Sequence, residues 1–133
     1  MKKIIYKILP YLLAFAFGSA GIMKLIGNPT MIEIFTNFGL PIWFMYVIGT
    51  AEVAGALGLV FGTKLNPILP RLAASGFMLI ILGALAMHFM NDPLTKAIPA
   101  FVLLALLLLY IFGNKVEAVS NANSEPNKLE SRR

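Results

Sequence analysis

Four long runs of hydrophobic residues dominate the chain, and short segments rich in Pro, Gly, Asn and charged residues separate them. A hydrophobic run of about 20 residues is long enough for a helix that crosses a bilayer. The pattern therefore predicts four transmembrane helices. Their approximate bounds are residues 8–26, 41–62, 71–90 and 93–112.

A fifth, shorter helix is predicted between the first two spans. Asn28 can cap its N-terminus, Pro29 suits its first position, and Gly39 suits its C-terminal cap. Its apolar residues recur at i, i+3, i+4 and i+7, which is the spacing of one helix face. This segment is too short to span, so we expect an amphipathic helix that lies flat in the membrane interface. The apolar face consists of Met31, Ile34, Phe35 and Phe38.

Two local features leave alternatives open. The basic start followed by an apolar run and small residues resembles a signal peptide. The run continues past Ala20, however, and three more hydrophobic segments follow, which favours a retained transmembrane helix. In the fourth span Asp92 is expected to cap and Pro93 to open the helix. Pro99 then either kinks this helix or marks the start of a shorter one.

Short connections between four spans predict an all-α fold, a four-helix up-down-up-down bundle with the interfacial helix between its first two spans. Residues 1–113 would form this single transmembrane domain. The remainder, residues 114–133, is rich in Asn, Ser, Glu and Lys, and its composition predicts a disordered tail.

The composition supports a membrane protein. The 133 residues are 59% hydrophobic and 13% charged, whereas soluble domains average about 25% charged residues. The mean hydropathy is +0.82. There is no cysteine, which excludes disulfides and thiolate metal sites. The net charge of +5 comes from residues at the ends of apolar runs, so it indicates membrane topology and no nucleic-acid partner.

The basic residues also predict the orientation. They concentrate at the N-terminus, in the connection between the second and third spans, and in the tail. Lys7, Lys64 and Arg71 are the topology anchors of this pattern. The positive-inside rule then places both termini in the cytoplasm of a multi-pass cell-membrane protein.

Three ionisable residues remain that topology does not require: Lys24, Glu52 and His88. Ionisable groups inside a membrane are costly and are by default functional hypotheses. Glu52 would lie about 15 Å from the outer start of its helix. Helical side chains lean toward their own N-terminus, so Lys24 and His88 would lean inward and Glu52 outward. We expect the three to converge in the outer half of the bundle.

Small residues accompany two of these groups on their helix faces. Gly21 shares a stripe with Lys24, and Gly49 shares one with Glu52, as expected where helices pack closely. Tyr46 and Glu33 are secondary candidates for the rim of such a site. Each main candidate also has a structural interpretation. Lys24 can extend to the headgroups, His88 can be a polar residue of the interface, and Glu52 can form an ion pair that sets helix register.

These residues fall in an ordered series of motifs that spans roughly residues 12–112. The series resembles the DoxX-like family of small four-helix membrane proteins. The resemblance implies a four-helix bundle whose marked polar positions are Lys, Glu and His. Relatives named for subunits of a thiosulfate:quinone oxidoreductase imply a respiratory or redox setting, although the absence of cysteine argues against thiol chemistry. The motifs are Gly21-x-x-Lys24-Leu25, Gly39-x-Pro41, Gly49-x-x-Glu52-x-x-Gly55 with Gly58-Leu59, Arg71-Leu-Ala-Ala, and Gly83-Ala84-x-x-x-His88.

Three functions fit this sequence. The first is a redox- or respiration-associated accessory subunit that binds a quinone or similar apolar molecule at the Lys/Glu/His cluster. The second is a small proton-coupled transporter that uses Glu52. The third is a non-catalytic assembly partner in which Lys24 and Glu52 only fix helix packing. Besides the lipid bilayer, the partners considered are a membrane or periplasmic redox protein and a second copy of the chain; no metal is expected.

Overall fold

The computed structural model of the protein describes residues 2–124 and contains only helices over that range. A 3₁₀ turn, Leu94–Ala97, precedes the last helix. The all-α fold with a short helix between the first two spans is thereby confirmed. The five α-helices are α1 (Lys2–Leu25), α2 (Pro29–Asn37), α3 (Ile42–Leu65), α4 (Ile68–Asn91) and α5 (Ile98–Ser124).

Four of these helices are long and apolar enough to cross a membrane. Helices α1 and α3 form the largest interface, followed by α3 and α4, while α5 packs against both α4 and α1. Neighbouring residues across the α1–α3 interface run in opposite order, because Gly18 faces Ala56 whereas Lys24 faces Gly49. The bundle is therefore a ring of antiparallel neighbours. Many large apolar side chains, such as Phe15 and Leu79, point outward, which suits a surface covered by lipid.

Helix α2 begins and ends as the sequence predicts. The Asn28 side chain accepts a hydrogen bond from the Thr30 N–H at 3.0 Å, and Pro29 is the first helical residue. Gly39 follows the helix with φ +70°, a left-handed conformation that glycine adopts without steric cost. The short connections on both sides keep α2 close to the end of the bundle where α1 ends and α3 begins.

Prolines shift two helix starts away from the predicted positions. Helix α4 begins at Ile68 rather than at residue 71, because Asn66 accepts a hydrogen bond from the Ile68 N–H at 2.9 Å. A proline in the first turn removes no intrahelical hydrogen bond, so Pro70 is tolerated there. Pro93 opens the 3₁₀ turn instead of an α-helix. Pro99 is the second residue of α5, so this helix starts there without an internal kink.

Two other boundaries lie beyond the hydrophobic runs. Helix α1 begins at Lys2 rather than at residue 8. Helix α5 continues to Ser124, so the segment predicted as a disordered tail from residue 114 is helical over its first part; residues 125–133 lie outside the described residues. Gly113 lies within α5, and the Tyr6 ring packs directly against it.

The core lies between α1, α3, α4 and α5. The rings of Phe17 and Phe77 stack with centroids 3.8 Å apart. A Cβ atom at Gly55 would come within 2.7 Å of the Phe77 ring, so only glycine allows this ring to reach α3. The stacked rings fix the position of α4 relative to α1, near the polar residues described in the next subsection.

Candidate functional site

Lys24 and Glu52 form a buried ion pair between α1 and α3. The Lys24 Nζ atom donates to Glu52 Oε2 at 2.7 Å, and the two residues are 9% and 4% exposed. Lys24 lies opposite Gly49, one turn from Glu52. Each of the two side chains leans toward the N-terminus of its own helix, and because α1 and α3 are antiparallel they meet, as the predicted side-chain directions require.

Two glycines bring the backbones of α1 and α3 close together at this pair. A Cβ atom at Gly21 would lie 2.8 Å from the Gly49 carbonyl oxygen, and one at Gly49 would lie 2.9 Å from Lys24 Cβ. Ordinary side chains do not fit at such distances. The small-residue stripe predicted beside the ionisable groups is thus the contact surface that places Lys24 and Glu52 within hydrogen-bonding distance.

His88 is held separately, by a carboxylate at the end of its own helix. Its Nδ1 atom lies 2.9 Å from Asp92 Oδ2, and the Phe38 ring contacts its ring edge-to-face at a centroid distance of 5.4 Å. Lys96 Nζ donates to the other Asp92 oxygen at 3.2 Å. The structure therefore does not join His88 to Lys24 and Glu52 in one hydrogen-bonded cluster.

Asp92 is a site residue that reasoning from the sequence missed. It was assigned only as a helix cap, and in the structure it follows α4 as the C-cap residue. The sequence permits this contact without predicting it, because His88 and Asp92 stand at i and i+4 and such residues are neighbours on a helix surface. Lys96 lies beyond the end of α4, so only the structure shows that it also contacts Asp92.

Lys24 and His88 do lie on the wall of one cavity, of about 610 Å³. The other lining residues are all apolar and come from α2, the segment after it, α3 and α4. Glu52 is not among them, so it lies behind Lys24. Two polar groups therefore line the cavity, and each contacts a carboxylate: Lys24 contacts Glu52, and His88 contacts Asp92. The apolar lining residues are Met31, Ile34, Phe35, Phe38, Leu40, Phe44, Ile48, Leu79, Ile80, Gly83, Ala84, Ala86 and Met87.

Helix α2 covers this cavity with its apolar face. The four residues predicted to form that face all contribute to the lining, and Phe35 is buried. On the α4 side the wall contains the exposed residues Leu79, Gly83 and Ala86. The cavity is therefore closed by α2 at one side and opens along α4 toward the surroundings of the bundle.

The secondary candidates separate into two groups. Gly21 and Gly49 are buried and shape the α1–α3 contact. Glu33 and Tyr46 are exposed and do not line the cavity; the Tyr46 hydroxyl lies near Gly27.

The anchors Lys7, Lys64 and Arg71 are exposed near the end of the bundle opposite the cavity. Among the side chains that the structure describes, no three His, Cys, Asp or Glu residues come together as they do in a metal site.

The environment of Asp92 determines its charge. The hydrogen bond from His88, with further help from Lys96, holds the pKa of the Asp92 carboxyl below its ordinary value despite some desolvation. Asp92 is then ionised at neutral pH and can only accept hydrogen bonds. His88 Nδ1 must therefore carry the proton of this contact, and in the neutral ring Nε2 is free to accept.

We expect the end of the bundle that carries Asp92 to lose stability on acidification. A carboxyl whose pKa is lowered by folding stabilises the folded state above its ordinary pKa, and this contribution disappears as the pH falls through the lower, folded-state value. Thermal unfolding in detergent between pH 7 and pH 3 should show a decline below about pH 4. Asp92→Asn should remove part of this decline, and parallel curves for the two proteins would contradict the assignment.

The geometry defines a class: a multi-pass membrane protein of four spanning helices, with an apolar cavity that carries an ammonium and an imidazole. Comparison with known proteins gives the family. The chain matches the model of the DoxX-like family over residues 8–110 and belongs to that family. It is similar to a Bacillus subtilis (strain 168) protein named Uncharacterized protein YdgD, with 31% identity over 102 residues, which cover 72% of this chain and 85% of the relative. No solved structure matches the chain significantly.

Proposed function

We propose that the protein binds a quinone or a similar apolar ring molecule in the cavity and acts as a redox- or respiration-associated accessory subunit. One observation carries this proposal: Lys24 and His88 are the two polar residues on the wall of an otherwise apolar cavity. Ligand sites commonly combine apolar walls with a few placed polar groups in a volume of about 300–1,000 Å³. The cavity falls within that range.

The polar groups suit the oxygen atoms of such a ring. The Lys24 ammonium has three hydrogens and gives one to Glu52, so it can donate another to a carbonyl or phenolate oxygen. Neutral His88 offers Nε2 as an acceptor for a hydroxyl proton, while its Nδ1 is held by Asp92. An imidazole nitrogen can accept a hydrogen bond from a hydroxyl, and an ammonium can donate one to a carbonyl, which suits a quinol as well as a quinone.

The position of the cavity suits a ligand that comes from the membrane. Exposed residues of α4 border it, so an apolar molecule can enter laterally without crossing water. The proposal includes the cell membrane as location and cytoplasmic termini, which the distribution of basic residues supports. A redox partner protein would then approach from the outer side, near α2.

A second candidate function is that of a non-catalytic assembly partner. The observation that favours it is the close α1–α3 contact at Gly21 and Gly49, since the Lys24–Glu52 pair lies directly on that contact. In this alternative the pair fixes helix register and the cavity holds only lipid. Binding measurements distinguish the two, because the assembly role requires no affinity for a ring with polar oxygens.

Partly filling the cavity should weaken ligand binding without unfolding the protein. Gly83 lines the cavity, and a Cβ atom there would meet nothing within 4 Å. We expect Gly83→Leu to weaken binding of menadione and of a decyl-substituted benzoquinone by at least about tenfold, or 1.4 kcal/mol. Leu also has the higher helix propensity, so stability should not fall. Equilibrium binding to the purified protein in mild detergent measures this effect.

Gly76→Leu is the matched control for this experiment. Gly76 belongs to the same helix, and a Cβ atom there also meets nothing within 4 Å, but it does not line the cavity. It should bind both quinones as the unmodified protein does. Equal binding by Gly83→Leu and Gly76→Leu, or no saturable binding to the unmodified protein, would rule out the quinone proposal.

A further inference from the structure

A second cavity lies between α4 and α5, at the opposite end of the bundle. Its volume is about 550 Å³. Arg71 lies one turn into α4, and Lys115 lies at the end of the spanning part of α5, which closes at Val116. Because α4 and α5 are antiparallel, these two positions come to the same level, and both side chains line the cavity.

The charged side chains described on the wall of this cavity are all positive. Besides the two cations, Ser75, Tyr110 and Asn114 supply hydroxyl and amide groups to its wall. None of the described residues on the wall is acidic, and neither Arg71 nor Lys115 forms an ion pair with a carboxylate in the described part of the chain. The Ser75 hydroxyl donates to the Arg71 carbonyl oxygen at 2.9 Å, so its hydrogen is not available to an anion.

We propose that this cavity binds the phosphate of an anionic phospholipid, with Arg71 and Lys115 as its charged ligands. An arginine fork can hold two oxygens of a phosphate, and a lysine adds a point charge. Basic cavities between spanning helices are suited to anionic headgroups. The site is separate from the cavity that contains Lys24 and His88, so it does not depend on the quinone proposal.

The apolar part of the wall favours a lipid over free phosphate. Ala74 and Ile111 face the cavity from the spanning parts of α4 and α5, and Val119 contributes from the next turn. A free phosphate ion would leave these surfaces in water, whereas the glycerol and upper acyl chain of a phospholipid would cover them. The position at the ends of two spans is also the level of headgroups in a bilayer.

Lipid titration of the purified full chain tests this proposal. Phosphatidylglycerol and phosphatidylcholine with identical acyl chains are added in detergent, and bound lipid is counted by native mass spectrometry. We expect a clear preference for phosphatidylglycerol. Each of Arg71→Gln and Lys115→Gln should weaken its binding about fivefold, and the double variant about 25-fold.

Lys64→Gln is the matched control, because Lys64 is an exposed basic residue at the same end that does not line the cavity. A loss with Lys64→Gln as large as with Arg71→Gln would show general charge attraction and overturn the site. Equal binding of the two lipids to the unmodified protein would overturn it without any variant. If inorganic phosphate displaced phosphatidylglycerol at similar concentration, the site would be one for free phosphate and the assignment to lipid would be wrong.

Discussion

Either Lys24→Met or Glu52→Leu alone should lower the free energy of unfolding by about 3–5 kcal/mol, whereas the double variant should lose much less. The two groups are buried against each other at 2.7 Å. Removing one partner leaves the other as an uncompensated charge in an apolar environment. Removing both leaves only apolar side chains of similar length, which the surrounding helices can accommodate.

Unfolding in mixed micelles with increasing sodium dodecyl sulfate, followed by circular dichroism, measures these differences. Glu33→Gln is the control, since Glu33 is an exposed carboxylate on α2; it should change stability by no more than about 0.5 kcal/mol. Additive losses in the double variant would show that Lys24 and Glu52 do not stabilise each other. That result would contradict the ion pair as a unit.

The double variant also separates function from structure. If it folds but no longer binds quinone, the lysine at the cavity wall has a ligand-binding role. If it folds and binds as the unmodified protein does, the pair only sets helix register, and the assembly role of the bundle is favoured. The Gly83→Leu comparison addresses the same cavity without changing any charge, so the two experiments are independent.

The second large effect is expected at the α1–α3 contact. Gly49→Ala would place a Cβ atom 2.9 Å from Lys24 Cβ and 3.0 Å from the Gly21 carbonyl oxygen. Backbone and Cβ atoms cannot rotate away, so the helices must separate. Overpacking of this kind costs about 1–3 kcal/mol, and the upper part of that range is expected here. Gly21→Ala should lower the free energy of unfolding by a similar amount, because its Cβ atom would approach the Gly49 carbonyl oxygen.

Gly18→Ala serves as the control on the same face of α1. A Cβ atom there would lie 3.5 Å from Ala56 Cβ, an ordinary van der Waals contact. Since Ala has the higher helix propensity, this variant should be as stable as the unmodified protein or more so. Separation of the helices by Gly49→Ala should also lengthen the Lys24–Glu52 contact. If Gly49→Ala were as stable as Gly18→Ala, the close approach of α1 and α3 would be refuted.

The hydrophobic pattern alone determined the class of this protein. Four spans and a short amphipathic helix follow from run length and periodicity, because a backbone in lipid must satisfy its own hydrogen bonds and forms helices. The cap residues Asn28 and Gly39 also acted as predicted, since capping depends on neighbours along the chain. Helix ends such as Lys2 and Ser124 lie beyond the predicted ones, because hydropathy measures burial in lipid and helices extend beyond the hydrocarbon.

Sequence also indicated that Lys24 and Glu52 would meet, because depth and side-chain direction follow from helix geometry. It did not indicate that His88 would bond to Asp92 rather than join that pair. It could not indicate the cavity either, which exists because α2 places Ile34, Phe35 and Phe38 over a gap between α3 and α4. The apolar face of α2 fits a membrane interface and a protein surface equally well. Only the packing of α2 on the assembled bundle determined that its apolar face covers the cavity.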